Sequence, residues 1–179
     1  EKLGAEELRA LGAKNVRDVP RGIRFEADRE TLCRVNYRSR LATKILAPLK
    51  KFPATTPEEL YLGAKQIDWT RIFRMDQTFA VFANVSRSNI DHSQYASLKV
   101  KDCIADMFRK RYKGKRPNVD PRDPDLTINL HLFDNEATIS IDTSGGSLHR
   151  RGYRQEGVEA PMQETLAAAI IEMAEWDGR

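Results

Sequence analysis

The chain has 179 residues, 40% of them apolar and 31% charged, with a formal net charge of +4. That length fits one ordinary domain or two small ones. No run of about 18 apolar residues occurs, which excludes a membrane-spanning helix, and no CxxC or clustered Cys/His spacing occurs, which argues against a structural metal site. Glu1 to Leu11 reads as a charged amphipathic helix with Gly12 beyond its end, not as a signal peptide. The absence of a Met at the first position and the start in mid-pattern point to residues before Glu1. Val16 to Val19 and Ile23 to Ala27 read as strands joined by a Pro20-Arg21-Gly22 turn. Asp28 can N-cap a helix that ends near Arg38. Leu41 to Leu49 reads as a further strand, frayed at Pro48. Helix, strand, strand, helix, strand is a ferredoxin-like order without its first strand.

Phe52 to Thr56 is the expected linker. Thr56-Pro57-Glu58-Glu59 spells a capping box with Pro at the first helical position, so a helix should run from there to about Lys65. Trp69 is assigned to a loop. Thr78 to Val85 is apolar on both faces and reads as a central strand. Asp91 or Ser93 should cap a long helix whose stripe is Val100, Cys103, Ile104, Met107, Phe108 and Arg111. Pro117 to Pro124 is a loop. Leu126 to Leu132 and Ala137 to Ile141 alternate as a hairpin turned by Asp134-Asn135-Glu136. Gly145-Gly146 ends it, and a last helix spans about Pro161 to Glu175. Cys33 and Cys103 both fall among apolar neighbours and read as reduced core thiols of a cytoplasmic protein.

The chemistry-bearing stretch is Lys99 to Arg116. Eight of its residues are Lys or Arg: Lys99, Lys101, Arg109, Lys110, Arg111, Lys113, Lys115 and Arg116. Tyr112 and Gly114 lie inside the run. A second cluster holds Arg150, Arg151, Tyr153 and Arg154. Such cations neutralise phosphates and release counterions, and the tyrosines can stack on bases. The negative end of a helix dipole also favours cations at Arg109 to Lys113, but not at Lys115 and Arg116. His92, His131 and His149 have no evident catalytic neighbour. G-x-S-x-G, P-loop and G-x-G-x-x-G motifs are absent. Asp102 and Asp106 read as surface ion-pair partners. The candidate is therefore an RNA-binding surface with no self-contained active site, no catalytic residue and no metal.

Several strings carry a resemblance. Leu60-Tyr61-Leu62-Gly63, Ile67-Asp68-Trp69, Ser93-Gln94-Tyr95, Lys99-Val100-Lys101-Asp102 and Arg116-Pro117-Asn118-Val119-Asp120 occur in order. Leu148-His149-Arg150-Arg151-Gly152-Tyr153-Arg154, Ala160-Pro161 and Glu164-Thr165-Leu166-Ala167-Ala168-Ala169 follow. Essentially the whole chain resembles the THUMP-containing bacterial methyltransferases that act on guanine N2 in 23S rRNA. The resemblance implies a mixed α+β and α/β fold: a ferredoxin-like segment over 1–52, a THUMP RNA-binding domain over 53–156, and over 157–179 a linker and the first helix leading to a Rossmann-like methyltransferase domain. It implies S-adenosylmethionine for a parent enzyme and 23S rRNA as partner. The family's Asp-Pro-x-Cys-Gly-Ser-Gly-Thr cofactor motif and Asn-Pro-Pro-Tyr catalytic motif are expected after Trp176, so this fragment alone should lack cofactor and catalysis. A THUMP module of a thiouridine or pseudouridine synthase, and a protein-docking module in ribosome assembly, are the alternatives.

Overall fold

A computed structural model describes residues 1–152, 156–157 and 159–176. The chain divides into two compact units, residues 46–145 and residues 1–45 with 146–179.

In the first-numbered unit, α1 (Lys2–Ala10) leads into the antiparallel pair β1 (Lys14–Val19) and β2 (Gly22–Glu26), then α2 (Arg29–Arg38). Gly12 takes the left-handed turn that ends α1, at φ 97°, and Ala13 N donates to Leu8 O at 3.0 Å. That bond satisfies a carbonyl the helix leaves open. Asp28 caps α2 as expected, accepting from Thr31 N at 2.8 Å. Glu7 fixes the chain after α2, since its carboxylate accepts from Ser39 Oγ at 2.6 Å and Arg40 N at 2.8 Å. Leu8, Ala13, Val35, Ile45 and Leu148 form the core, with Val16, Ile23 and Phe25 packed on it. Leu148 N donates to Thr43 O at 2.9 Å, which returns the 3-10 turn Leu148–Arg150 to this unit. The last helix, α6, is shorter than expected, Glu164–Met173.

The second unit holds β3 (Leu46–Pro53), α3 (Pro57–Lys65), α4 (Trp69–Ile72), β4 (Phe79–Ser86), α5 (Ser93–Arg111), β5 (Leu126–Phe133) and β6 (Glu136–Asp142). Its sheet runs β3-β6-β5-β4, with β4 and β5 parallel and joined through α5, and the other pairs antiparallel. Phe79, Leu130, Ile139 and Phe52 face one way and bury against Leu60, Trp69, Ile104 and Phe108 of the helices. The Thr56 capping box forms as read, Glu59 N donating to Thr56 Oγ1 at 3.2 Å and Thr56 N to Glu59 Oε2 at 3.3 Å. Asp134 and Asn135 both adopt positive φ, 49° and 60°, the geometry a two-residue hairpin turn needs.

Four expectations need correction. The strand placed over 41–49 runs from Leu46 to Pro53 and pairs with β6, so the ferredoxin-like unit has two strands here and the expected linker carries ladder residues; Phe52 is drawn into the core by its side chain despite the flanking prolines. Phe79–Ser86 is an edge strand, paired in the sheet with β5 alone, and its outward Phe82 and Asn84 stay exposed. Among the described residues its free edge is bridged at Phe79, where Phe79 N donates to Asn118 O at 3.1 Å. Trp69 opens a helical turn, fully buried, with Nε1 donating to Ala64 O at 3.0 Å. Cys33 is exposed rather than in the core, whereas Cys103 is buried.

Burial pushes the Cys103 thiol up to about 12. A neutral, inaccessible thiol does not react. Iodoacetamide at pH 8 should therefore modify one thiol of the folded chain, Cys33, and two after unfolding; rapid modification of both in the folded chain would contradict the packing.

Gly63 lies in α3 against Phe52, whose ring atoms would stand 2.1 Å from an added Cβ. Glycine to alanine in a helix ordinarily stabilises by about 1 kcal/mol. Here overpacking reverses the sign, and Gly63→Ala should destabilise by about 1–3 kcal/mol in a urea titration.

Candidate nucleic-acid interface

The basic run sits where α5 ends. His92, not Asp91 or Ser93, caps the helix start, its Nδ1 accepting from Tyr95 N at 3.3 Å. Phe108 is fully buried, meets the Phe73 ring in a tilted contact with centroids 4.9 Å apart and stacks on Tyr112 at 5.7 Å, so Tyr112 is seated on the core at the helix C-cap. The chain then turns through two left-handed residues, Lys113 at φ 51° and Gly114 at φ 88°. Gly114 N donates to Arg109 O at 2.8 Å and Lys115 N to Tyr112 O at 3.1 Å. Pro117 is fully buried beyond the loop. The exposed segment 113–116 is thus held at both ends, and its cations project from a fixed base.

The eight cations of the run fall into two groups. Lys101 pairs with Asp102 at 3.1 Å, Arg109 pairs with Asp106 at 3.1 Å, and Lys99 lies over the Tyr95 ring at 5.4 Å. Asp106 also accepts from Tyr61 Oη at 3.1 Å, which ties α3 to α5. Lys99 is about 18 Å along the helix from Arg111, at 1.5 Å per residue. Lys110, Arg111, Lys113, Lys115 and Arg116 are exposed and carry no ion pair among the described residues. These five cluster at one end of the unit.

The α5 terminus contributes nothing but side-chain charge. Its dipole presents its negative end there, which repels a phosphate, and the N–H groups of Tyr112, Gly114 and Lys115 are already spent on the turn. The patch is therefore a field of flexible cations, suited to a polyanionic backbone and not to one enclosed phosphate.

Lys113 occupies a left-handed position that costs a residue with a Cβ about 1–2 kcal/mol, while the adjacent glycine sits one place later. Lys113→Gly should raise the stability of the chain by about 0.5–1 kcal/mol and weaken RNA binding severalfold in the same preparation.

In the other unit, Arg150 is exposed on the 3-10 turn. Arg151 is engaged in the fold: its Nη1 donates to Ser39 O at 2.5 Å and its Nη2 to Asn36 O. Tyr153 and Arg154 lie outside the described residues. His149 Nδ1 is hydrogen-bonded to Ser147 Oγ at 2.6 Å, a neighbour the sequence reading did not anticipate. No hydrogen bond from that imidazole to a carboxylate occurs among the described residues, so the pair lacks the orienting acid of a nucleophilic triad. His131 stands exposed on the sheet face.

No cluster of three metal-ligating side chains occurs among the described residues, and no described helix is long and apolar enough to cross a membrane. A cradle for S-adenosylmethionine in an α/β fold is a glycine-rich loop from strand to helix. The parallel β4–α5 connection, 87–92, holds no glycine, so that connection does not fit the cofactor.

Residues 54–142 match the THUMP domain family, and residues 1–46 match the RlmL ferredoxin-like domain family. The chain is a THUMP-domain protein. Its THUMP match lies within the four-stranded unit, and its ferredoxin-like match covers the α1-β1-β2-α2 segment. Over 176 residues, 98% of this chain, it is 46% identical to the ribosomal RNA large subunit methyltransferase K/L of Syntrophotalea carbinolica, but covers 24% of that protein. The chain therefore spans about a quarter of the length of that relative, and it aligns with the relative's N-terminal part. Among solved structures it is similar to a predicted N6-adenine-specific DNA methylase from Listeria monocytogenes str. 4b F2365, with TM-score 0.84 and 27% identity over 98% of this chain and 46% of that one. It is also similar to SMU.472, a methyltransferase by name, complexed with SAH, with TM-score 0.80 and 28% identity over 98% of this chain and 46% of that one.

Proposed function

We propose that this THUMP-domain chain is the RNA-binding part of a cytoplasmic, S-adenosylmethionine-dependent methyltransferase acting on large-subunit (23S) ribosomal RNA. The observation that carries the reading is the set of five unpaired cations fixed at the end of α5, within the THUMP match. The relative named as a ribosomal RNA large subunit methyltransferase K/L supports the class of RNA. Guanine N2 as methyl acceptor rests on the resemblance of the 148–169 string; the Listeria neighbour's name points to adenine N6 of DNA instead.

In this reading Lys110, Arg111, Lys113, Lys115 and Arg116 hold the RNA backbone, Tyr112 offers an aromatic edge beside it, and Arg150 is a separate backbone contact. Lys99, Lys101 and Arg109 contribute less, because each is already engaged. Arg151 positions the chain by binding backbone carbonyls. Recognition by exposed cations follows shape and charge and leaves base identity to the catalytic part of the longer protein. Ultraviolet crosslinking of the chain to a structured 23S rRNA segment, followed by peptide mapping, tests the assignment. Crosslinks should concentrate in the peptides spanning 109–116. Crosslinking elsewhere only, or none, would overturn it.

A further inference from the structure

The β1–β2 hairpin carries three arginines that neither the core nor the α5 patch uses. The strand register sets Arg17 directly opposite Arg24. Both are exposed, on the face turned away from Ile23 and Phe25, which pack on the core. Like charges directly opposite one another weaken an antiparallel pair. Val19 pairs with Gly22, so Pro20 and Arg21 form the two-residue turn, and Arg21 sits at φ 62°. A turn with Pro first and a left-handed second residue favours glycine or asparagine there. Each arginine thus occupies a place where another residue would suit the hairpin better.

No acid among the described residues neutralises them. Arg17, Arg21 and Arg24 have no ion pair or side-chain hydrogen bond among the described residues. Asp18 pairs in register with Ile23 and so lies on the opposite face. Glu26 is held by Asn15 Nδ2 at 2.7 Å and stands opposite Lys14. Two guanidinium groups side by side on an open strand pair, with a third at the tip, complement a run of phosphates, which such forks bind in pairs of hydrogen bonds.

We infer that the β1–β2 hairpin of the ferredoxin-like segment is a second RNA-backbone contact, made by Arg17, Arg21 and Arg24. The inference rests on the RNA reading above and extends it to a surface separate in sequence from the α5 patch. Bound phosphate relieves the repulsion between Arg17 and Arg24, so the hairpin is stabilised by its ligand.

The test compares the 179-residue chain with Arg17→Thr/Arg24→Thr and with Arg21→Gly, measuring thermal midpoint and anisotropy against one structured 23S rRNA segment at several salt concentrations. Threonine pairs well across strands, and glycine suits the turn. The midpoints should hold or rise. The double variant should lose roughly tenfold in affinity, and its log–log salt slope should shrink by about 1.4–1.8, the equivalent of two phosphates. Unchanged affinity and slope with intact wild-type binding would overturn the hairpin contact and leave the RNA reading standing. Affinity loss only together with a midpoint lowered by several degrees would assign the arginines to the fold and overturn it too. No RNA binding by the wild-type chain would overturn both.

Discussion

Replacing Lys110, Arg111 and Lys113 together with Glu lowers RNA affinity by roughly 100-fold at low salt, because each change removes a phosphate contact and adds a repulsion. The three side chains are exposed and unpaired, so the fold loses little beyond their favourable setting at the helix C-terminus. The comparison variant is Arg109→Glu. Arg109 is already committed to Asp106 at 3.1 Å, and its replacement should cost binding less than that of any of the three. Anisotropy titrations of the two variants, with circular dichroism to verify folding, decide the point. Equal loss from both would show that the ion pair with Asp106 does not hold Arg109 back, and no loss from the triple change would remove RNA from this end of α5.

The second large effect is on stability. Phe108→Ala should destabilise the chain by about 3–5 kcal/mol, the usual cost of emptying a buried aromatic site. Phe108 is fully buried, packs at a tilt against Phe73, and forms the seat of Tyr112. For a unit of about this size each kcal/mol moves the thermal midpoint by about 4–8 °C, so a fall of more than about 12 °C is expected by calorimetry. Below that midpoint the basic loop has lost one of its two anchors, and RNA affinity should drop severalfold although no cation has been removed. A variant with normal RNA affinity and a lowered midpoint would separate the loop's order from its binding.

The elements with a strong local signature were legible in the sequence. The Thr56 capping box, the Asp28 cap, the Asp134-Asn135 turn and the alternation of Leu126 to Leu132 each have a short-range physical cause, and each appears where it was read. What failed was long-range. Nothing local tells Leu46–Pro53 which sheet to join; its partner, β6, lies more than eighty residues on. The edge position of β4 depends on the same pairing, because an apolar run looks central whether or not a neighbour arrives on its far side. The exposure of Cys33 depends on how α2 rolls on its core.

The candidate site was legible as a charge run but not as a geometry. Eight cations between Lys99 and Arg116 could be counted, but the division between the engaged Lys99, Lys101 and Arg109 and the five unpaired residues needed side-chain positions. The left-handed Lys113 was hidden by Gly114 beside it, where the glycine invited the turn one residue late. Arg17 and Arg24 were within reach: counting outward from the Pro20-Arg21 turn places them opposite one another. That step requires a two-residue loop, which the Pro-Arg-Gly string does not impose.

The measurement that bears most directly on the central claim is the salt dependence of RNA affinity for the unmodified chain. A structured 23S rRNA segment is titrated by fluorescence anisotropy across a range of salt concentrations. The five unpaired cations at the end of α5, at about 0.7–0.9 per phosphate contact, by themselves predict a log–log slope of about −3.5 to −4.5, and the contacts assigned to Arg150 and the hairpin arginines make it steeper. A steep slope of that order would support the electrostatic hold on the RNA backbone. Binding that does not change with salt, or no binding, would contradict it.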